Sequence, residues 1–343
     1  MNQNTDLLLK GRYRLKTVVG TGGFSTVYMA IDEKTGQTVS IKEFTAEHMD
    51  GLNTTLRVNA YDIASREVPS PVEDLSAISQ KEMIIRGLMQ VLREAEILEK
   101  FGHLPGVPGV YGTLRENNTF YLIREFLEGM TCREYMDRFR GKIPFTLGLY
   151  IMKGTLEILQ EIHEQGYIHC DVSPINSFIC RNGTVYLIDW GNAVDLNGSM
   201  EDHVVRQAVN VRYAAPEQQI SKEILTPATD IYCLCATVFD AICSEPPRQC
   251  LERLRGRTFV EPGFYVTDLP AFVNDMLTRG LSLDPAERPT SRELLEIINH
   301  EIAFTVTPVA GTGNASVSAN LLHEKRSPFG FLTSRRIRRP TVL

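Results

Sequence analysis

Residues 167–191 read Y-I-H-C-D-V-S-P-I-N-S-F-I-C-R-N-G-T-V-Y-L-I-D-W-G, from Tyr167 to Gly191. Asn182-Gly183 in the middle marks a hairpin, because a two-residue turn of the favoured type needs positive φ at both central positions. The flanking runs 177–180 and 184–188 read as two short strands. Such a hairpin returns Asp189 to the end where Asn176 stands. Two oxygen-bearing side chains held together there suit a hard cation such as Mg²⁺. Asp171 precedes the asparagine by five residues, in place to meet an incoming hydroxyl.

Upstream, Gly11–Ala30 reads G-R-Y-R-L-K-T-V-V-G-T-G-G-F-S-T-V-Y-M-A. Apolar alternation on either side of a glycine-rich turn predicts strand, loop, strand. Glycines let backbone N–H groups approach phosphate oxygens with no Cβ in the way. Val39-Ser40-Ile41-Lys42 follows as another strand, with a lysine between apolar neighbours. Ile85, Leu88, Leu92 and Ala95 recur at three- and four-residue steps and predict a helix over about 79–101. Residues 46–77 show no periodicity and read as an insertion ahead of that helix. Downstream, Leu149, Met152, Leu156, Leu159 and His163 share a helical face that stops at Gly166. Thr229-Asp230 opens an apolar run that reads as a buried helix.

The central stretch resembles the catalytic loop and metal-binding turn of protein kinases, H-R-D-L-x-x-x-N followed by D-F-G. Here they stand as H-C-D-V-S-P-I-N and D-W-G. Val39–Lys42 resembles V-A-I-K, and Ala215-Pro216-Glu217 matches A-P-E, with Arg288 as the arginine that pairs with that glutamate. The resemblance covers roughly residues 11–303 and is to bacterial-type Ser/Thr kinases. It implies an α+β bilobal protein-kinase-like fold, with a small β-rich lobe at 11–126, a larger mainly helical lobe at 127–303 and a flexible basic tail at 304–343.

By the same resemblance, Asp171 accepts the proton of the substrate hydroxyl, with Lys42 and Asn176 completing the catalytic set. Asn176 and Asp189 hold Mg²⁺. ATP lies on Gly20, Thr21, Gly22, Gly23 and Val27, on Lys42 paired with Glu94, on the backbone of Glu125 and Leu127, and against Phe178. Glu96 is the second choice for the partner of Lys42. His169 packs beneath the metal-binding turn, and Asp230 caps the catalytic-loop backbone.

Four departures from the pattern leave a second reading open. Cys170 replaces the arginine that gathers an activation-segment phosphate, and Ser173 replaces a lysine near the transferred group. Asn210 replaces a threonine of the substrate site. Arg124 occupies the apolar gatekeeper position beside the hinge, where a guanidinium needs an acid such as Glu94 or Asp189, or an exit to water. Between Asp189 and Glu217 the chain has one serine, Ser199, and no threonine. The expectation is an active Ser/Thr protein kinase that needs no activation-segment phosphate. The alternatives are a pseudokinase scaffold or nucleotide sensor and, third, a small-molecule kinase.

Composition narrows the setting. The chain has 343 residues, enough for two lobes, and a net charge of -6 gives no reason to expect nucleic-acid binding. Its 7 cysteines form no C-x-x-C pair, which points to core thiols and a reducing cytoplasm. The longest apolar run, 231–239, is too short to span a membrane. The tail ends R-R-I-R-R-P-T-V-L, a basic stretch suited to an acidic partner or a membrane surface.

Overall fold

The structure, a computed structural model, describes residues 6–22, 25–44, 80–117, 119–198, 210–220 and 224–306. Gly23, the insertion at 46–77, Ser199 and the chain beyond residue 306 lie outside them.

The first part is one antiparallel sheet and one helix. Strands β1 (Leu8–Leu9), β2 (Tyr13–Thr21), β3 (Ser25–Asp32) and β4 (Thr38–Phe44) follow in sequence. Helix α1 (Gln80–Phe101) comes next, then β5 (Val110–Glu116) and β6 (Thr119–Glu125). The order across the sheet is β1-β2-β3-β4-β6-β5. β1 precedes residue 11, so the sheet begins earlier in the chain than the resemblance implied.

Strand alternation sorts the side chains onto two faces. Leu15, Ala30, Val39, Ile41, Tyr121 and Ile123 make a small core on one. Val27, Ser40, Lys42, Leu122 and Arg124 take the other, because Lys42 pairs with Val27 and Leu122, and Ser40 with Arg124. That second face meets α1, whose Leu88, Val91, Ala95 and Leu98 are buried with Leu122 and Phe44. The α1 boundaries agree with the periodicity.

The second part is mainly helical. It runs β7 (Gly129–Thr131), α2 (Cys132–Arg138), α3 (Phe145–Glu164), β8 (Tyr167–Ile168), β9 (Ser177–Cys180), β10 (Val185–Leu187) and β11 (Val194–Asp195). It continues with α4 (Pro216–Gln219), α5 (Pro227–Cys243), α6 (Cys250–Leu254), α7 (Ala271–Gly280) and α8 (Ser291–Val306). Helix α5 is buried from Thr229 to Cys243, as its all-round apolar sequence requires. It starts at Pro227, two residues before the expected Thr229-Asp230. Proline suits a first helical position, where no N–H partner is needed.

The hairpin of β9 and β10 pairs Val185 with Ile179 and Leu187 with Ser177. Its turn differs from the expected two-residue form. Gly183 takes a φ of 95° and Asn182 stays out of the left-handed region. The Gly183 N–H donates to Cys180 O at 2.9 Å, and the Asn182 side-chain oxygen accepts from the Thr184 N–H at 3.0 Å. This is a turn followed by a left-handed glycine, a three-residue loop. The Asn182 side chain stabilises it by binding the backbone two residues on. The outcome for the ends is as expected: the Ile188 N–H donates to Asn176 O at 2.9 Å, which holds Asp189 beside Asn176.

Glu217 and Arg288 form a buried bidentate pair, Nη1 to Oε1 at 2.6 Å and Nη2 to Oε2 at 3.0 Å. Thr229 Oγ1 adds a hydrogen bond to Glu217 at 2.9 Å. The pair joins α4, the start of α5 and the turn before α8. Arg288→Met strands the Glu217 carboxylate away from water and is expected to destabilise the fold by about 3–5 kcal/mol. Urea unfolding measures this. Glu217→Gln combined with Arg288→Met should cost less than Arg288→Met alone.

Candidate active site

The loop carrying Asp171 is fixed from below by one buried acid on α5. Asp230 accepts the His169 N–H on Oδ2 and the Cys170 N–H on Oδ1, each at 2.8 Å. His163 Nε2 lies 2.9 Å from the same Oδ2, so this histidine of α3 supports the loop as well as packing. Burial works against the Asp230 charge, but the His163 hydrogen bond and the neighbouring imidazoles outweigh it and lower the pKa. From the side, Gln218 Nε2 donates to Cys170 O at 2.7 Å. Cys170 can therefore hold a φ of 64°, a conformation that side-chain-bearing residues adopt only when their surroundings enforce it.

His169 packs edge-on against Trp190 with ring centroids 4.6 Å apart. Its Nδ1 accepts the Asp171 N–H at 3.2 Å. Burial lowers its pKa, so it is a neutral scaffold residue. Trp190 replaces phenylalanine at no polar cost, because its indole N–H donates to Leu187 O at 2.8 Å.

The sequence trio meets in space. Asn176 Nδ2 donates to Asp171 O at 2.8 Å and to Asp171 Oδ2 at 3.0 Å. That leaves the Asn176 carbonyl oxygen on the far side of the amide. Burial and the nearby Asp189 charge raise the Asp171 pKa to about 7. Asp189, at φ 62°, has a half-exposed side chain. The Lys42 ammonium overcomes desolvation and holds its pKa at about 2.

Two residues of this site escaped the sequence reading. Asn192 Nδ2 donates to Asp171 Oδ2 at 3.3 Å, and Gln90 Nε2 of α1 donates to Asn192 Oδ1 at 3.0 Å. The chain Gln90–Asn192–Asp171 links the long helix to the acid. A Cβ on Gly191 would lie 3.2 Å from both Cβ and O of Gln90, a tight contact that would push α1 back by a few tenths of an ångström. The one signal in the sequence was an asparagine placed directly after the D-W-G turn.

On the sheet side, Lys42 Nζ donates to Glu94 Oε2 at 2.5 Å and to Asp189 Oδ1 at 2.9 Å. Burial opposes the Lys42 charge, but Asp189 and Glu94 outweigh it and raise its pKa. Glu94 is buried while Glu96 is exposed, which settles the choice between them. Arg124 finds its acid in Glu94, with Nη1 to Oε1 at 2.5 Å. It takes the oxygen that Lys42 leaves.

The remaining expected positions lie on β2 and β3, on β6 and the segment after it, and on β9. Gly20 pairs with Val27 and Thr21 with Thr26 across β2 and β3, and the Gly22 N–H donates to Ser25 O at 2.7 Å. Glu125 follows Arg124, its N–H bound to Gly109 O at 2.7 Å, and Leu127 is partly buried beyond it. Phe178 is partly buried on β9, two residues after Asn176.

The Cys170 side chain lies in a small apolar cluster with Ile168, Val194 and Leu225. Burial pushes its thiol pKa well up, so it is neutral. Ser173 is buried with its hydroxyl unpartnered. Among the described residues no three His, Cys, Asp or Glu side chains converge as a metal site. One carboxylate and one amide oxygen suit a hard divalent cation whose remaining ligands are phosphate and water.

Residues 74–301 match the family model of the protein kinase domain. The serine/threonine-protein kinase PrkC of Bacillus subtilis is 24% identical over 295 residues, covering 84% of this chain and 40% of that protein. The serine/threonine-protein kinase PknA of Mycobacterium tuberculosis is 26% identical over 252 residues, covering 72% of this chain and 50% of that protein. The chain spans about half the length of the curated relatives it matches. A solved structure, the PpkA-294 apo form, superposes with a TM-score of 0.66 at 23% identity, covering 86% of this chain and 98% of that one. That likeness is one of fold: a β-sheet lobe with one long helix, and a helical lobe.

Asp230→Ala removes the acceptor of two loop amides. Hydrogen exchange of the His169 and Cys170 N–H groups should accelerate about tenfold or more, while amides within α8 keep their protection.

Proposed function

The chain belongs to the protein kinase domain family, and from that premise we propose that it transfers the γ-phosphoryl group of ATP to serine or threonine hydroxyls of protein substrates. The observation that carries the reading is the set of contacts running from Glu94 into the loop: Lys42 bridges Glu94 and Asp189, while Asn176 and Asn192 orient Asp171.

 Lys42 is placed to hold the α- and β-phosphates, and Asp171 to accept the proton of the incoming hydroxyl as its oxygen attacks. Gly20, Thr21, Gly22 and Val27 would cover the nucleotide. The backbone of Glu125 and Leu127 meets the adenine, and Phe178 lies beneath it. Asn176 and Asp189 would hold Mg²⁺, which when bound with ATP would supply positive charge against the phosphates. Most of the catalytic effect in such a site comes from positioning and charge rather than covalent chemistry.

Cys170 supports a site that works without an activation-segment phosphate, because its neutral side chain sits in an apolar cluster and gathers no anion. The 7 free, buried cysteines suit a reducing cytoplasm. Among the described residues no helix is long and apolar enough to cross a membrane.

The test is transfer from labelled ATP to a general protein substrate. Asp171→Asn should lower kcat by about 10²-fold or more while nucleotide binding, followed by calorimetry, persists. Nucleotide binding with background transfer that Asp171→Asn leaves unchanged would point instead to a scaffold or nucleotide sensor. Asn192→Leu should lower kcat about tenfold with little change in KM for ATP, since it loosens Asp171 and leaves the phosphate contacts in place. Steady-state kinetics on the two substrates separates these effects.

A further inference from the structure

Arg124 is a buried cation in the cleft wall for which the transfer chemistry has no task. It stands on β6, paired with Ser40, while Lys42 is paired with Leu122 two residues along the same two strands. Both cations therefore project from one face of a rigid sheet toward α1. Between them lies Glu94, at 0% exposure, with Oε1 on Arg124 and Oε2 on Lys42, each at 2.5 Å. A carboxylate buried to that degree is tolerated only when it is paired.

The two cations are not equivalent. Lys42 divides its ammonium between Glu94 and Asp189, and in the kinase reading it must also serve the phosphates. Arg124 approaches Glu94 from the sheet with a planar group whose donors match a carboxylate. Counted together, Lys42 and Arg124 balance Glu94 and Asp189. Without Arg124, one ammonium would lie between two carboxylates, and any move of Lys42 toward a phosphate would leave Glu94 unpaired.

We propose that Arg124 is a positioning residue: it docks α1 on the sheet through Glu94, so that the helix stays in place while Lys42 moves between Asp189 and the nucleotide. The long helix is then held by a charge built into the sheet rather than by a phosphate on the activation segment. This deepens the kinase reading and rests on it for its kinetic consequence alone.

The chain carries its own reporter. Trp190 is the single tryptophan and is wholly buried. The next residue, Gly191, abuts the Gln90 backbone of α1. Undocking of α1 would open Trp190 to acrylamide quenching. The experiment compares quenching and kcat in the full chain for Lys42→Met, Arg124→Met, Arg124→Gln and Arg124→Lys.

Lys42→Met should lose transfer yet keep Trp190 as shielded as in the parent. Arg124→Met and Arg124→Gln should raise quenching and lower kcat about tenfold. Arg124→Lys, which keeps the charge on the strand, should restore most of both. If Arg124→Met accumulates unfolded, the contrast between Arg124→Gln and Arg124→Lys decides. Parent-like quenching and kcat in the neutral variants overturn the proposal, as does a rise in kcat. Exposure of Trp190 by Lys42→Met equal to that by Arg124→Met also overturns it. A parent that transfers no phosphate but shows the expected quenching pattern removes the kinase reading and leaves the docking role standing.

Discussion

The ammonium of Lys42 joins three parts of the molecule that sequence keeps far apart. It belongs to β4, it binds Glu94 of α1, and it binds Asp189 at the turn that follows β10. Sheet, helix and the turn after β10 thus meet at one charge, beside the apolar contacts that α1 makes with Leu122 and Phe44. Such an arrangement survives burial because each charge has a partner; removing one partner of a buried pair costs about 3–5 kcal/mol. The same contacts leave the half-exposed Asp189 beside the Lys42 ammonium, with Glu94 buried behind them.

The other half of the site depends on burial of a different kind. Helix α5 is apolar all round and cannot move without exposing its core. Asp230, at its start, converts that rigidity into the position of the His169 and Cys170 amides. Gln218 fixes the Cys170 carbonyl from the opposite side. Asp171 is thus placed by a backbone that has few alternatives. The final adjustment of its carboxylate falls to Asn176 and Asn192, and through Gln90 that adjustment is linked to α1.

Most of this framework was legible in the sequence because it rests on local rules. The 3.6-residue period gave α1 and α3. The order of Asp171, Asn176 and Asp189 about a hairpin gave the site. The turn itself differs from the φ preference of Asn182-Gly183, because the side-chain oxygen of Asn182 binds the Thr184 N–H and favours a longer loop. The start of α5 lies two residues before Thr229-Asp230 because Pro227 suits a first helical position. A guanidinium at position 124 needs an acid, and the sequence alone does not choose between Glu94 and Asp189. That choice depends on which oxygens Lys42 leaves free. The Gln90–Asn192–Asp171 chain was invisible, because it joins positions with no shared periodicity through two amides.

The central claim is that these side chains perform phosphoryl transfer as they stand, without a phosphate on the activation segment. The most direct measurement is a single-turnover assay on the phosphatase-treated full chain, with ATP·Mg²⁺ and a protein substrate rich in serine and threonine. Labelled phosphoserine or phosphothreonine should form in the substrate at a rate that prior phosphatase treatment does not change. Saturating nucleotide binding with no label transferred, or transfer that disappears after phosphatase treatment, would contradict it.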